Sequence, residues 1–152
     1  MVATSDLLLE SSVMLRNIIG WLKLDREGGP VAKKKLFIHA GTYKTGTTYF
    51  QHKIYHNRKR LAAAGILYPR LGLGLATPHN RHSHRVLGMR LASGKQNGFP
   101  KIIERLTSNS AVSTGLISYE GFCMPQTIDK LLEIRDCFAD VELEAILVFL
   151  RA

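Results

Sequence analysis

The residues best suited to chemistry lie in one short segment, Gly41–Thr48, which reads GTYKTGTT. It follows the apolar run Leu36–Ala40, and the sequence after it contains no Gly or Pro up to Ala64. A strand, a tight turn and a helix in this order gather backbone N–H groups at the helix N-terminus, where the helix dipole favours an anion. Lys44 adds a full positive charge. Further hydrogen bonds can come from the later hydroxyl groups, those of Thr45, Thr47 and Thr48.

The order of the residues in this segment indicates which anion it binds. A nucleotide triphosphatase loop reads GxxxxGK[ST]. The two glycines have that spacing here, but Thr47 stands in the lysine position and the lysine is Lys44. A strand ending in Asp should also help to hold Mg²⁺, whereas the later predicted strands end at Glu120 and Arg151. A magnesium-dependent kinase or triphosphatase is therefore the alternative rather than the first interpretation.

The segment Phe37–Gln51 (FIHAGTYKTGTTYFQ) resembles the 5′-phosphosulfate loop of sulfotransferases that use PAPS (3′-phosphoadenosine 5′-phosphosulfate). The core of that loop is K-[ST]-G-T-[ST], and residues 44–48 match it at every position. Weaker similarity continues in GILYP at 65–69, in the His-rich 79–84, in LISYE at 116–120 and in VFLR at 148–151. The resemblance implies transfer of a sulfuryl group from PAPS to a hydroxyl acceptor, with a carbohydrate or lipid acceptor favoured.

The resemblance also implies roles for individual residues. Lys44 would bond the bridging oxygen of PAPS and so act in catalysis, and Arg151 would bind the 3′-phosphate. The implied cofactor-binding set comes from the loop and one later strand end: Gly41, Lys44, Thr45, Gly46, Thr47, Thr48 and Arg151. Because a sulfuryl group carries less charge than a phosphoryl group, positioned donors and one cation can stabilise the leaving phosphate, and we expect no metal.

An attacking hydroxyl needs a general base, and two candidates remain open. His84 belongs to the run His79–His84 (HNRHSH) and precedes an apolar helical stretch. Glu120 ends a predicted buried strand, and carboxylates serve as the base in some sulfotransferases. The alternative for the histidine run is a solvated basic helix end. Metal binding by this run is disfavoured because it lacks a supporting carboxylate or Cys.

Charge is distributed unevenly along the 152 residues, whose formal net charge is +9. The 76 residues between Glu27 and Glu104 contain no acid and 14 Lys or Arg. Such a stretch suits a multiply charged nucleotide, because an anion meets no local repulsion. It also suits a nucleic-acid-binding module, the second alternative. No nucleic acid is expected as a partner, because the basic residues are scattered and no recognition motif is evident.

The order of predicted elements indicates an α/β fold with a mainly parallel sheet. Short apolar runs predict strands at Leu36–Ala40, Ile66–Tyr68, Gly115–Tyr119 and Leu143–Leu150. Helical spacing predicts helices at Thr47–Ala64, His79–Ala92, Lys101–Thr107 and Gln126–Phe138. With the resemblance, we expect a P-loop-like three-layer fold whose ligands bind at the carboxyl ends of the strands.

Two regions are expected along the chain. Residues 1–35 contain an apolar but charge-interrupted segment, 7–24, and a basic linker, 25–35. The segment 7–24 is predicted to be an amphipathic helix and a candidate for contact with a membrane surface. Residues 36–152 are expected to be the N-terminal part of a sulfotransferase domain, truncated after the strand that ends at Arg151. Without a signal peptide pattern or a clear membrane span, the expected location is cytoplasmic.

Overall fold

The computed structural model describes residues 33–41, 47–74, 82–95 and 98–147. Several predictions lie outside these residues. They are the amphipathic helix at 7–24, most of the linker, the start of the histidine run, and the site residues Lys44, Thr45, Gly46 and Arg151.

The described residues form one four-stranded sheet in which all strands are parallel, in the order β2-β3-β1-β4. The strands are β1 (Lys34–His39), β2 (Ile66–Leu67), β3 (Thr114–Ser118) and β4 (Val141–Leu147). The central strands β1 and β3 have buried apolar centres, Leu36–Ile38 and Leu116–Ile117, as is usual for buried parallel strands. The predicted α/β class and parallel sheet are confirmed.

Five helices and two 3-10 turns connect the strands within the described ranges. The helices are α1 (Thr47–His56), α2 (Arg58–Ala63), α3 (Arg85–Ala92), α4 (Phe99–Ser108) and α5 (Pro125–Glu133). The 3-10 turns are Glu120–Cys123 and Arg135–Phe138.

The two faces of the sheet pack against different helices. Successive strand side chains point to opposite faces. Ile38 of β1 belongs to an apolar core built mainly with α3 and α4, together with Ile117 of β3. On the other face, the ring of His39 lies 4.6 Å from the ring of Phe50 in α1, measured between centroids. Helices therefore contact both faces of the sheet.

The predicted helix from Thr47 to Ala64 is divided at Asn57, although the segment has no Gly or Pro. Side chains at the division bond to carbonyl oxygens of the preceding turn. Asn57 Nδ2 donates to Lys53 O at 2.9 Å, and Arg58 donates to Tyr55 O at 3.0 Å. The backbone N–H of Asn57 also donates to Lys53 O, at 3.1 Å, so two donors share this carbonyl where the helix is divided. Gly65 follows α2 with a φ of +84°, the left-handed conformation typical of a glycine just after a helix.

The helix predicted from His79 begins at Arg85 as α3. Residues 82–84 form a turn, and 79–81 lie outside the described residues. The turn is bonded to other segments: the backbone N–H of His84 donates to Ser118 O at 2.7 Å, and Ser83 O accepts from Gly74 N at 3.0 Å. In a helix that began at His79, the His84 N–H would donate to the carbonyl four residues earlier, so its bond to Ser118 O excludes this longer helix.

Within the described residues, none of the helices combines the length and the apolar character needed to cross a bilayer.

Candidate functional site

The candidate site lies at the carboxyl ends of β1 and β3, which are neighbours in the sheet. The chain leaves β1 toward β2 and leaves β3 in the opposite direction, toward β4. Right-handed crossovers in opposite directions put the connecting helices on opposite faces, which opens a crevice between the two strand ends. Ligands of parallel α/β sheets bind in such a crevice.

Register brings two polar side chains together at this edge. His39 and Ser118 are paired residues at the ends of β1 and β3, so their side chains lie on the same face. His39 Nδ1 and Ser118 Oγ are 2.6 Å apart, and both residues are fully buried. Burial lowers the pKa of His39 from 6.5 to about 4, although the Glu120 carboxylate opposes this shift. The imidazole is therefore neutral near pH 7.

The start of α1 contacts the end of β3 through a second pair. The Thr47 hydroxyl, which is buried, donates to Glu120 Oε1 at 2.7 Å. Gly41 approaches the same threonine so closely that a Cβ at position 41 would overlap Thr47 Cγ2. A side chain at 41 would therefore separate the end of β1 from the start of α1.

A thiol holds the same two segments together. Cys123 Sγ lies 3.3 Å from Gly41 O and 3.1 Å from Glu120 O. These S–H contacts are weak individually. They place the backbone after β1 beside the 3-10 turn that contains Glu120, and so add to the Thr47–Glu120 contact.

His84 is fully buried, and both of its ring nitrogens contact the backbone. Nδ1 accepts from the Ser118 N–H at 3.0 Å, so Nε2 carries the proton and donates to Pro69 O at 2.9 Å. The pairing of β2 with β3 reaches only as far as Leu67. Beyond it, His84 provides hydrogen-bond partners for the backbone of Ser118 at the end of β3. Burial lowers the pKa of His84 from 6.5 to about 4, and the two backbone bonds oppose this shift.

Of the five predicted site residues that the structure describes, three meet at one place, and two, Thr48 and His84, lie apart from them. Gly41, Thr47 and Glu120 meet where α1 begins. Thr48 lies exposed in the first turn of α1. His84 reaches this edge through Ser118, on the side of β3 that faces β2.

The sequence alone did not identify two groups of residues that the structure brings together. The His39–Ser118 pair depends on the register of β1 and β3, which no local pattern reveals. The other group is the histidine cluster His52, His56 and His82, whose ligand-type atoms all lie within 4.8 Å of one another. The sequence does contain part of this pattern, because HKIYH at 52–56 places two histidines one helical turn apart.

Comparison with known protein families, with curated proteins and with solved structures found no significant match to this chain.

Proposed function

We propose that the chain binds PAPS at the β1–α1 junction and transfers its sulfuryl group to a hydroxyl acceptor, with a carbohydrate or lipid acceptor favoured. The observation that carries the proposal is the sequence KTGTT at 44–48 between a buried parallel strand and a helix that begins at Thr47. Resemblance to the phosphosulfate loop and the position at a sheet switch point support the same ligand.

The first turn of α1 supports anion binding in its own right. The N–H groups of residues 47–49 have no acceptor within the helix that they begin, so they are available to phosphate oxygens. No Asp or Glu lies in this turn. Glu120 accepts from the Thr47 hydroxyl at 2.7 Å and is the acidic group that contacts this turn among the described residues.

The contacts of the two base candidates favour Glu120. Glu120 is partly exposed, and one of its carboxylate oxygens accepts from Thr47; we assign to the other oxygen the proton of the acceptor hydroxyl. His84 is fully buried with both ring nitrogens bonded to the backbone, so it supports a positioning role. Its position fixes the end of β3, from which Glu120 follows two residues later.

The proposed reaction balances without a metal. The acceptor oxygen forms a bond to sulfur while the bond from sulfur to the bridging oxygen of PAPS breaks. The acceptor proton passes to Glu120, and the displaced nucleotide leaves as PAP (3′-phosphoadenosine 5′-phosphate). Lys44 would stabilise the charge on the departing phosphate, where a fixed cation acts most strongly in a site that excludes water.

The test is a comparative titration of the purified chain with PAP, ATP–Mg²⁺ and a DNA duplex at two salt concentrations. The proposal predicts preference for PAP. Preference for ATP–Mg²⁺ would indicate a kinase or triphosphatase instead, and binding to DNA alone with a steep dependence on salt would indicate a nucleic-acid-binding module. Either result would contradict the proposal, as would failure of PAP to bind.

A further inference from the structure

The histidine cluster lies outside the candidate nucleotide site. His52 and His56 are exposed on α1, and His82 is buried in the turn before α3. The ring centroids of His52 and His56 are 4.1 Å apart. The centroid of the His82 ring lies 4.9 Å from that of His52 and 5.0 Å from that of His56. Three imidazoles from two separate segments thus converge on one point.

The spacing on α1 presents two of the three ligands. Residues four apart share one face of a helix, so His52 and His56 project in the same direction. His56 Nδ1 donates to His52 O at 2.8 Å, which leaves His56 Nε2 with its lone pair as the ligand atom. A metal-bound imidazole commonly donates its other N–H to a carbonyl in this way, and the bond fixes the tautomer and the ring orientation.

The third imidazole is held by its surroundings. Tyr68 Oη donates to His82 O at 2.7 Å, and the side chain of His82 is only 4% exposed. The Tyr55 ring packs against the His82 ring with centroids 4.8 Å apart. A ligand that is already ordered loses little conformational freedom when a metal binds.

The distances suit a metal after a small adjustment. Zn–N bonds of about 2.05 Å in a tetrahedron put nitrogens about 3.4 Å apart. The three ligand atoms lie within 4.8 Å of one another, and rotation of the exposed side chain of His52 can close the difference. Three protein nitrogens leave a fourth position for water, as in catalytic zinc sites.

The donor set also limits which metal fits. Neutral imidazole suits Zn²⁺, Cu²⁺ and Ni²⁺, whereas Mg²⁺ and Ca²⁺ prefer oxygen ligands. The three residues lie in the stretch without Asp or Glu, so carboxylate oxygens from neighbouring residues in the sequence cannot supply a hard-cation site.

We propose that His52, His56 and His82 bind one divalent transition metal ion of the Zn²⁺ class, and that the metal ties α1 to the turn before α3. The site is independent of nucleotide binding. Its ligands come from two separate segments of the acid-free stretch, which explains why the run HNRHSH at 79–84 did not reveal it alone.

The test is calorimetric titration of the full chain with ZnCl₂, followed by Co²⁺ binding observed by visible absorption. We expect one Zn²⁺ per chain, no binding of Mg²⁺, and a Co²⁺ spectrum of nitrogen and oxygen ligands without thiolate charge transfer. Loss of an outer-shell partner alone costs about 10–100-fold in metal affinity. His52→Gln and His56→Gln should therefore each weaken Zn²⁺ binding by more than about tenfold.

The variants keep the proposal falsifiable. His52 and His56 are exposed, so their replacement should leave folding intact, whereas His82→Gln removes a buried side chain and is the third, confirmatory variant. Lys59→Gln changes an exposed residue on α2 and is the matched control, with unchanged Zn²⁺ affinity expected. The proposal is overturned if Zn²⁺ fails to bind, if both α1 variants bind as tightly as the wild type, or if Co²⁺ shows thiolate bands.

Discussion

Replacing His84 by Asn tests whether the buried, neutral imidazole stabilises the fold by linking Ser118 N–H to Pro69 O. The Asn amide oxygen can accept from the Ser118 N–H in place of Nδ1, but the shorter side chain loses the bond to Pro69 O. A buried acceptor left without its partner costs about 1–3 kcal/mol. We therefore expect His84→Asn to lower the free energy of unfolding by that amount near pH 7.5.

The pH dependence gives the magnitude a second check. The pKa of His84 is lowered from 6.5 to about 4, so the unfolded chain takes up a proton below pH 6.5 while the folded chain does not. The contribution of the neutral His84 to the free energy of unfolding is complete above pH 6.5 and is lost as the pH falls toward 4. At about pH 5 the loss is about 2 kcal/mol relative to about pH 7.5.

Asn does not titrate, so His84→Asn escapes this loss, and its deficit relative to the wild type should shrink by about 2 kcal/mol at about pH 5. Urea unfolding at both pH values, followed by circular dichroism, measures the deficit. Leu132→Ala is the matched control, because Leu132 is exposed and carries no titratable group; its effect on stability should be the same at both pH values. A deficit of His84→Asn that is equal at both pH values would refute the reasoning.

Three further predictions concern the site and the core. Gly41→Ala should weaken PAP binding at least tenfold and destabilise the fold by about 1–3 kcal/mol, because its Cβ overlaps Thr47; calorimetry and urea unfolding measure both. Glu120→Gln should lower the rate of sulfuryl transfer by about 10²–10⁴-fold and leave PAP affinity within about threefold of wild type, and an unchanged rate would exclude Glu120 as the base. Ile102→Ala should cost about 2–5 kcal/mol of unfolding free energy because Ile102 is 1% exposed, whereas Leu132→Ala, at a position 63% exposed, should cost less than about 0.5 kcal/mol; similar urea midpoints would contradict this.

Short continuous apolar runs predicted the strands well. β1 and β3 each begin within two residues of their predicted starts, because buried parallel strands are apolar on both faces. β1 begins early, at Lys34, which the sequence assigned to the linker. The amino group of Lys34 donates to Leu106 O at the end of α4, at 2.8 Å, so a charged residue can belong to the strand.

Contacts between distant segments could not be predicted in the same way. The sequence placed Gly41, Thr47 and Glu120 at the carboxyl ends of strands, and the fold brings them together. It gave no means of assigning His84 to the end of β3, because that role depends on β2 pairing only as far as Leu67.

The apolar stripe of the last predicted helix shows the same limit. Leu131 and Ile134 pack against the core, but Ile128 and Leu132 are 45% and 63% exposed. Periodicity identifies the helix and its apolar side chains, whereas their burial depends on the neighbouring elements.

The most direct test of the central claim is the affinity of PAP for the Lys44→Ala variant. Lys59→Ala, on the exposed surface of α2, is the matched control for the loss of one positive charge. A hydrogen bond to a charged group contributes about 1.5–3 kcal/mol, so calorimetry should show affinity lowered by about 10–100-fold for Lys44→Ala. Lys59→Ala should bind like the wild type. Equal affinity of both variants and the wild type would contradict the assignment of this loop to the nucleotide.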